Sequence, residues 1–343
     1  MNEAFLLPVI FMALMGISIL AYVILDGYDL GVGILLRAAP KAQRDVMISA
    51  IGPFWDANET WLVLGVGLLL VAFPKAHGVI LGALYLPVAA MLLGLTLRGV
   101  AFDFRYKAKA EHKDFWDLAF WAGSCMASLA QGFMLGHYIT GFQTTFAAYA
   151  FAVLIAVCLL AGYALLGAGW LLIKTTGAIQ HYAIRRARWA LVGTSIGVAA
   201  VSLATPLISP QIFAKWFSLP AAIALMPIPV MTAACVALAW IFLHRLNADA
   251  AQNNDRGLAR WAWAPFVCSV GIFMLAFLGL AYSLYPDLVI GRLTLFEAAS
   301  APESLKIILA GAVVVLPMIV GYTIFMYRVF WGKVDDSHGY PST

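Results

Sequence analysis

The chain has 343 residues, of which 63% are hydrophobic and only 11% are charged. A soluble globular domain carries roughly 45–50% apolar and about 25% charged residues, so the composition excludes a soluble protein and indicates an integral membrane protein. The sequence contains no basic patch suited to nucleic acid. We attribute the formal net charge of +4 to membrane topology, through the basic residues of the loops described below.

Nine apolar segments follow one another along the chain, each close to the roughly 20 residues that a membrane-crossing helix needs. They cover residues 5–25 (running on to 36), 54–73, 79–97, 115–137, 146–173, 189–208, 221–243, 263–285 and 307–330. None of these segments alternates between apolar and polar residues as a barrel strand would. The sequence therefore predicts a single all-α membrane domain over residues 1–343, with nine transmembrane helices.

The basic residues of the loops predict the orientation of these helices. If the N-terminus is outside, the cytoplasmic loops and tail receive all of the 21 Lys and Arg residues except Lys75, Lys215, Arg292 and Lys306. Cytoplasmic loops carry the excess of Lys and Arg, so the N-terminus is expected outside and the C-terminus in the cytoplasm. An even number of helices would remove this asymmetry, which favours nine.

Carboxylates lie at the predicted cytoplasmic ends of the first four helices. The stretches that carry them are LDGYDLG, WDANETW, LRGVAFDFR and FWDLAFW, and the charged residues of interest are Asp26, Asp29, Asp56, Glu59, Arg98 and Asp117. Residues three apart on a helix share one face, so each of the first two pairs points in one direction. The sequence predicts that the four helices bring five carboxylates around Arg98.

Such a cluster has two interpretations. Acids at helix ends often reach into the lipid headgroups, or stabilise the first turn through the helix dipole. Charged groups at membrane depth, in contrast, usually face a helix bundle or a hydrated cavity. We favour the second interpretation, a polar pocket that admits protons or a cation from the cytoplasm, because four consecutive helices contribute to it.

These motifs carry a resemblance to a known family. The order of DGYDLGVG, WDANETWL, LRGVAFDFR and FWDLAFWAGS, followed by LTLFEAASAPESL and FWGKV near the end of the chain, resembles subunit II of cytochrome bd-type quinol oxidases, including the cyanide-insensitive branch. The matches extend over all nine predicted helices in a consistent order. The N-terminal four-helix block is the most specific part.

The resemblance implies two four-helix bundles, formed by residues 1–140, which contain the acidic cytoplasmic cluster, and by residues 141–290. A peripheral ninth helix and a cytoplasmic tail occupy residues 291–343. It also implies a bacterial inner-membrane location and a haem-bearing partner, subunit I, which holds haem b and either haem d or a further haem b. The complex would oxidise quinol and reduce dioxygen to water, contributing to the proton gradient without pumping. A small single-span third subunit and a structural quinone in this chain occur in some members.

The resemblance also suggests roles for individual residues. Asp56, flanked by Trp55 and Asn58, would belong to a proton path from the cytoplasm toward the haem region of the partner, together with Glu59, where the family often has Gln. Asp29, Arg98, Asp117 and Asp26 would form a charged cluster or cation site. No catalytic residue, haem ligand or metal ligand is assigned to this chain, because its histidines fall in loops, in the tail or at helix ends: His77, His112, His137, His181, His244 and His338.

Two other functions fit the same residues. A proton-coupled secondary transporter would also need carboxylates, but it usually places them near the bilayer midplane on broken helices of related repeats. A purely structural subunit would use the charges only to organise an interface. Haem-bearing material that co-purifies with the chain distinguishes an oxidase from a transporter.

Overall fold

A computed structural model describes residues 3–219 and 221–334 of the chain. The C-terminus, together with His338, lies outside the described residues. The α-helices, numbered α1 to α15 in chain order, are Glu3–Leu36, Lys41–Ser49, Trp55–Ala72, Pro74–Ala83, Tyr85–Lys107, Lys113–Ile139, Phe146–Lys174, Gly177–Ile208, Pro210–Phe217, Ala221–Leu225, Pro227–Ala251, Asp255–Trp261, Ala264–Leu284, Leu295–Ala298 and Pro302–Val329.

The prediction of a mostly helical membrane protein is confirmed. Within the described ranges, eight helices are long and apolar enough to cross a membrane. Helix α3, Trp55–Ala72, is not among them, because it has only 18 residues and begins with the polar stretch WDANET. The predicted second segment therefore forms a helix as expected, but the structure does not establish nine crossings.

Several helices extend beyond the apolar segments seen in the sequence. Helix α8 begins at Gly177, well before the predicted start at Trp189. Helix α5 continues to Lys107, ten residues past the predicted end at Leu97. In both cases the additional turns carry basic residues. A helix can continue outside the hydrocarbon region after its apolar stretch has ended, so hydropathy alone underestimates its length. The predicted third segment is also divided at Leu84, where α4 ends and α5 begins.

Helix α1 lies at the centre of the packing. It contacts α3, α6 and α7, while α5 packs against α6. In the second half, α7 packs against α8 and α13, and α11 packs against both α8 and α13. Helix α15 contacts α1 and α3 but remains largely uncovered, and Leu305 is its one buried residue in the part of the chain that the structure describes.

The backbones of α1 and α7 approach closely where they cross. A Cβ atom placed on Gly31 would lie 1.8 Å from the backbone oxygen of Tyr163, and one placed on Gly167 would lie 2.3 Å from the carbonyl carbon of Gly31. Small residues permit such contacts between membrane helices. This agrees with a packing role for Gly31 and brings the polar end of α1 against the second half of the protein.

The other end of α1 is covered by a small hairpin. Strand β1, Asp287–Val289, pairs antiparallel with β2, Leu293–Thr294. The hydroxyl of Thr294 and the carboxylate of Glu297 form a capping box that starts α14. The hairpin packs into a hydrophobic cluster that includes Phe11 and Phe73. This cluster lies at the end of α1 opposite to the acidic residues.

Candidate functional site

Arg98 is the centre of a buried charge cluster formed by α1, α3 and α5. Its side chain is 2% exposed, and its Nη1 lies 2.7 Å from Oδ1 of the fully buried Asp26. Its Nη2 donates to Oε1 of Glu59, whose side chain is 28% exposed. Charges taken out of water require such partners, because isolated buried ions carry a large desolvation penalty. The cluster therefore runs from the edge of the protein surface to a fully buried carboxylate.

Asp29 lies next to this cluster and is held by Asn58. Asn58 Nδ2 donates to Asp29 Oδ2 and to Tyr28 Oη, each at 2.8 Å. Tyr327 Oη donates to Asn58 Oδ1 at 3.2 Å, and the Tyr28 and Tyr327 hydroxyls are 2.5 Å apart. Asn58 therefore joins α1 and α3 to α15, which otherwise packs loosely. Among the described residues, Asp29 Oδ1 has no hydrogen-bond partner.

This site holds three carboxyl groups and one guanidinium. Asp26 and Glu59 contact Arg98, Asp29 follows Asp26 by three residues on α1, and all three carboxyl groups are at least partly withdrawn from water. Like charges close together in a low-dielectric environment favour the uptake of a proton or a cation by one of them. The arrangement is therefore suited to accepting a positive charge from the surface near Glu59.

Three polar residues continue from the cluster into the boundary between the two halves. Tyr22 lies one turn before Asp26 on α1, so both residues occupy the same helix face. Gln131 Nε2 donates to Tyr22 Oη at 2.7 Å, and Tyr163 Oη donates to Gln131 Oε1 at 2.7 Å. These residues were not predicted from the sequence, although Gln131 stands out there as an uncharged polar residue within an apolar segment.

Asp117 belongs to a separate charged network. Arg105 Nε donates to Asp117 Oδ1 at 2.5 Å, and Arg44 Nη1 donates to Asp117 Oδ2 at 3.0 Å. The prediction that Asp117 joins Asp29 around Arg98 is therefore wrong. Arg105 follows Arg98 by two helical turns, which is about 10 Å along α5, so the two arginines collect different acids at different levels.

The same network includes a short surface helix that sequence analysis did not predict. Helix α2 supplies Arg44 and also Asp45, which accepts from Arg105 Nη1 at 2.6 Å and from Lys113 Nζ at 3.2 Å. Partial burial raises the pKa of Asp45, but the hydrogen bonds and positive charges of Arg105 and Lys113 outweigh it and bring that pKa below its ordinary value. Asp45 is therefore a stable anion at neutral pH.

Asp56 and Trp55 lie at the start of α3, outside the buried cluster. Asp56 is exposed, whereas Trp55 packs against Phe102 with ring centroids 5.3 Å apart. The expectation that Asp56 is one of the carboxylates around Arg98 is therefore wrong, whereas Glu59, three residues further along α3, contacts that guanidinium. The reason is that Asp56 is one turn closer to the free end of the helix.

Two further features bear on ligands. Within residues 3–219 and 221–334, no group of three or more His, Cys, Asp or Glu side chains is arranged to hold a metal ion. A groove with a volume of about 580 Å³ lies between α1 and α15. Its lining is mostly apolar and consists of Leu25, Thr323, Ile324, Tyr327, Arg328 and Trp331. Tyr327 thus belongs both to this groove and to the polar contacts of Asn58.

Comparison with known proteins gives one consistent family. Residues 7–330 match the family model described as cytochrome bd terminal oxidase subunit II. Cytochrome bd ubiquinol oxidase subunit 2 of Bacillus subtilis is 26% identical over 351 residues, covering 96% of this chain and 97% of the relative. Cytochrome bd-I ubiquinol oxidase subunit 2 of Escherichia coli K12 is 23% identical over 371 residues, covering 94% and 93% of the two chains.

A solved structure shows a similar fold. A chain of the bd oxidase from Geobacillus thermodenitrificans superposes with a TM-score of 0.75 at 16% sequence identity, covering 94% of this chain and 98% of that one. The likeness extends over both helical halves, because nearly all of each chain is included.

Proposed function

Because this chain belongs to the family of cytochrome bd terminal oxidase subunit II, we propose that it forms part of a terminal respiratory complex in which quinol is oxidised and dioxygen is reduced to water. It is a multi-pass protein of the bacterial inner membrane. The relatives from Bacillus subtilis and Escherichia coli are named as ubiquinol oxidase subunits. This membership favours an oxidase over the proton-coupled transporter that the acidic residues alone would also allow.

In this proposal, the redox chemistry takes place in the partner. A haem-bearing subunit I holds haem b together with haem d or a further haem b, and a small single-span third subunit completes the complex. The support comes from the sequence, in which the histidines fall in loops, in the tail or at the ends of the predicted apolar segments, whereas haem between membrane helices needs axial ligands on facing helices. The role of the chain is then to hold the partner and to deliver protons.

The proposed topology has nine transmembrane helices, with the N-terminus outside and the C-terminus in the cytoplasm. Support for nine comes from α3, which packs along α1 in the same way as the longer helices. Support for the orientation comes from the basic residues, because only Lys75, Lys215, Arg292 and Lys306 fall on the outer side. Helices α1, α3, α5 and α6 would form the first bundle, α7, α8, α11 and α13 the second, and α15 the peripheral helix.

The single observation that carries the proton-delivery role is the contact of Arg98 with both Glu59 and Asp26. Glu59 is partly exposed, Asp26 is fully buried, and the guanidinium of Arg98 contacts both. A proton that reaches Glu59 from the surface is therefore close to a buried carboxylate. Exposed Asp56 would collect protons at the entrance, next to Trp55. Asn58 would hold Asp29 at the inner end, with Asp29 accepting the proton or a cation.

A structural quinone is assigned to the groove beside Tyr327. Its volume of about 580 Å³ lies within the range of roughly 300–1,000 Å³ that is usual for ligand pockets. Its mostly apolar lining suits an isoprenoid chain.

Purification of the complete complex tests the proposed function. The chain, carrying an affinity tag, is extracted in mild detergent, and the absorbance spectrum of the purified material is recorded. We expect haem bands and quinol-dependent oxygen consumption; a chain that copurifies with no haem would contradict the oxidase assignment. Asp56→Asn should lower oxygen consumption at normal haem content, and full turnover of this variant would remove Asp56 from the proton path.

A further inference from the structure

Arginines at one end of the second bundle rest on aromatic rings. Arg188 lies 5.9 Å from the ring centroid of Trp240, which joins α8 to α11. Arg245 and Arg260 lie 5.5 and 5.1 Å from the ring centroid of Trp261. Cation–π contacts of this kind hold a guanidinium in place without neutralising its charge. Within the part of the chain that the structure describes, none of the three arginines has a carboxylate oxygen within 4.0 Å.

Four basic residues of the first bundle differ in this respect. Lys41 pairs with Asp114, Arg44 and Arg105 pair with Asp117, and Lys113 pairs with Asp45. In the second bundle the nearest acid on the same helix face as Arg245 is Asp249, one turn further along α11. Asp249 instead accepts a hydrogen bond from Asn254 Nδ2 at 2.9 Å. The positive charges of these four residues are compensated within the protein, and those of Arg245 and Arg260 are not.

Two guanidinium groups on one indole ring repel each other unless an anion lies between them or beside them. The planar, fork-shaped guanidinium is well suited to phosphate oxygens. Arg245 and Arg260 both contact Trp261 and both are exposed, so their guanidinium groups are accessible to a phosphate group from outside. The arrangement therefore has the chemistry of a phosphate site.

The position of these residues indicates which phosphate is available. Trp189, Trp240 and Trp263 flank the arginines, and their side chains are 71%, 46% and 50% exposed. Exposed tryptophans mark the boundary between lipid headgroups and hydrocarbon. Apolar surface continues beside the arginines at Ile241, which is 57% exposed. An occupant of this surface would thus contact both charged and apolar groups, as a lipid does.

We propose that Arg188, Arg245 and Arg260, together with Trp240 and Trp261, form a binding surface for the headgroup of an anionic phospholipid. The phosphate lies between Arg245 and Arg260, and the acyl chains lie against Trp240 and the neighbouring apolar side chains. A zwitterionic phospholipid binds less well, because its ammonium group meets the same arginines. This surface is distinct from the proton-delivery cluster and does not depend on it.

The test compares lipid binding by the purified complex, by two variants that each lose two positive charges, and by a third variant that keeps both charges. The complex, in mild detergent, is titrated with phosphatidylglycerol or phosphatidylcholine, and bound lipid is counted by native mass spectrometry. Arg245→Gln with Arg260→Gln removes the proposed site. Lys41→Gln with Lys306→Gln removes the same number of positive charges elsewhere. These two lysines already have carboxylate partners, because Lys41 pairs with Asp114 and Lys306 pairs with Glu3 at 2.6 Å.

For the wild-type complex and the Lys41/Lys306 variant, we expect a clear preference for phosphatidylglycerol. In the Arg245/Arg260 variant, this preference should fall by roughly 10- to 30-fold, given about 1 kcal/mol for each basic residue near an anionic membrane surface. Arg245→Lys with Arg260→Lys should fold normally and retain part of the preference, since it keeps the charge but loses the planar contact with Trp261. An equal preference in all variants would overturn the proposal.

A soluble competitor distinguishes a lipid site from a free phosphate site. Glycerol phosphate at millimolar concentration should leave bound phosphatidylglycerol in place, because it lacks the acyl chains that contact the apolar surface. Displacement of the lipid by glycerol phosphate at that concentration would contradict the lipid assignment. Quinol-dependent oxygen consumption, measured in parallel, should remain unchanged in the Arg245/Arg260 variant, so failure of this proposal is distinguishable from failure of the oxidase function.

Discussion

Asp26→Asn is the substitution that tests the buried charge cluster most strongly. Asp26 is fully buried and lies 2.7 Å from Arg98, which is 2% exposed. Removing one partner of a buried ion pair usually costs roughly 3–5 kcal/mol, because the remaining charge stays buried without compensation. Here Glu59 still accepts from Arg98, so we expect the loss of unfolding free energy to lie near the lower end, at about 3 kcal/mol.

The assay is the unfolding free energy of the purified complex, measured by denaturant titration in mixed micelles. Asp103→Asn is the matched control, because it makes the same chemical change at an exposed position of α5. Exposed substitutions away from special features usually change stability by less than about 0.5 kcal/mol. Glu59→Gln should fall between the two, since partial exposure of Glu59 lets water screen its charge.

The order of the three variants decides the outcome. If Asp26→Asn destabilises the complex no more than Asp103→Asn does, then Arg98 does not depend on Asp26 for compensation. The description of one buried cluster around Arg98 would then be wrong.

Three further predictions concern the close helix crossing, the surface network and the polar residues between the bundles. Gly31→Ala should destabilise the protein by roughly 1–3 kcal/mol or more, because the new methyl group would lie 1.8 Å from the Tyr163 oxygen and force α1 and α7 apart. Gly311→Ala, where a Cβ atom meets nothing within 4 Å, is its control, and equal melting temperatures would contradict the crossing. Asp45 has a lowered pKa, so it stabilises the folded state above its ordinary pKa of about 3.9 and loses this effect as the pH falls through the lowered value. Asp45→Asn should therefore flatten the melting temperature against pH below about pH 4, and an unchanged pH profile would count against the network. Gln131→Leu should cost about 1–3 kcal/mol in denaturant titration, because it leaves two buried tyrosine hydroxyls without the amide that joins them; a neutral result would mean that these hydroxyls find other partners.

Hydropathy was sufficient to predict most of the fold. The predicted fifth segment, residues 146–173, ends one residue before the observed helix, and the predicted ninth segment overlaps α15 over nearly its whole length. Apolar stretches predict membrane helices well because lipid leaves the backbone no other way to satisfy its hydrogen bonds. Helix α2 was missed because it is a short helix of nine residues, mixed in polarity, that lies outside the apolar segments.

The composition of the candidate site was predicted better than its geometry. The sequence identified Asp26, Asp29, Glu59 and Arg98 as a group, because their spacing along each helix is regular. It could not separate Asp117 from them. Arg98 and Arg105 are about two helical turns apart on α5, and the sequence does not show which of the two lies level with Asp117. It also could not find Tyr327, whose contact with Asn58 joins residues 269 positions apart.

We propose that protons enter through Glu59 toward the buried carboxylates beside Arg98, and Glu59→Gln tests this route most directly. The variant complex is reconstituted into liposomes, and quinol-dependent oxygen consumption and proton uptake are recorded together with the haem spectrum. We predict a loss of turnover of at least about tenfold at normal haem content, since a positioned proton-transfer group commonly contributes 10²-fold or more, while Asp103→Asn stays at the wild-type rate. Wild-type turnover and proton uptake in Glu59→Gln would contradict proton entry through Glu59.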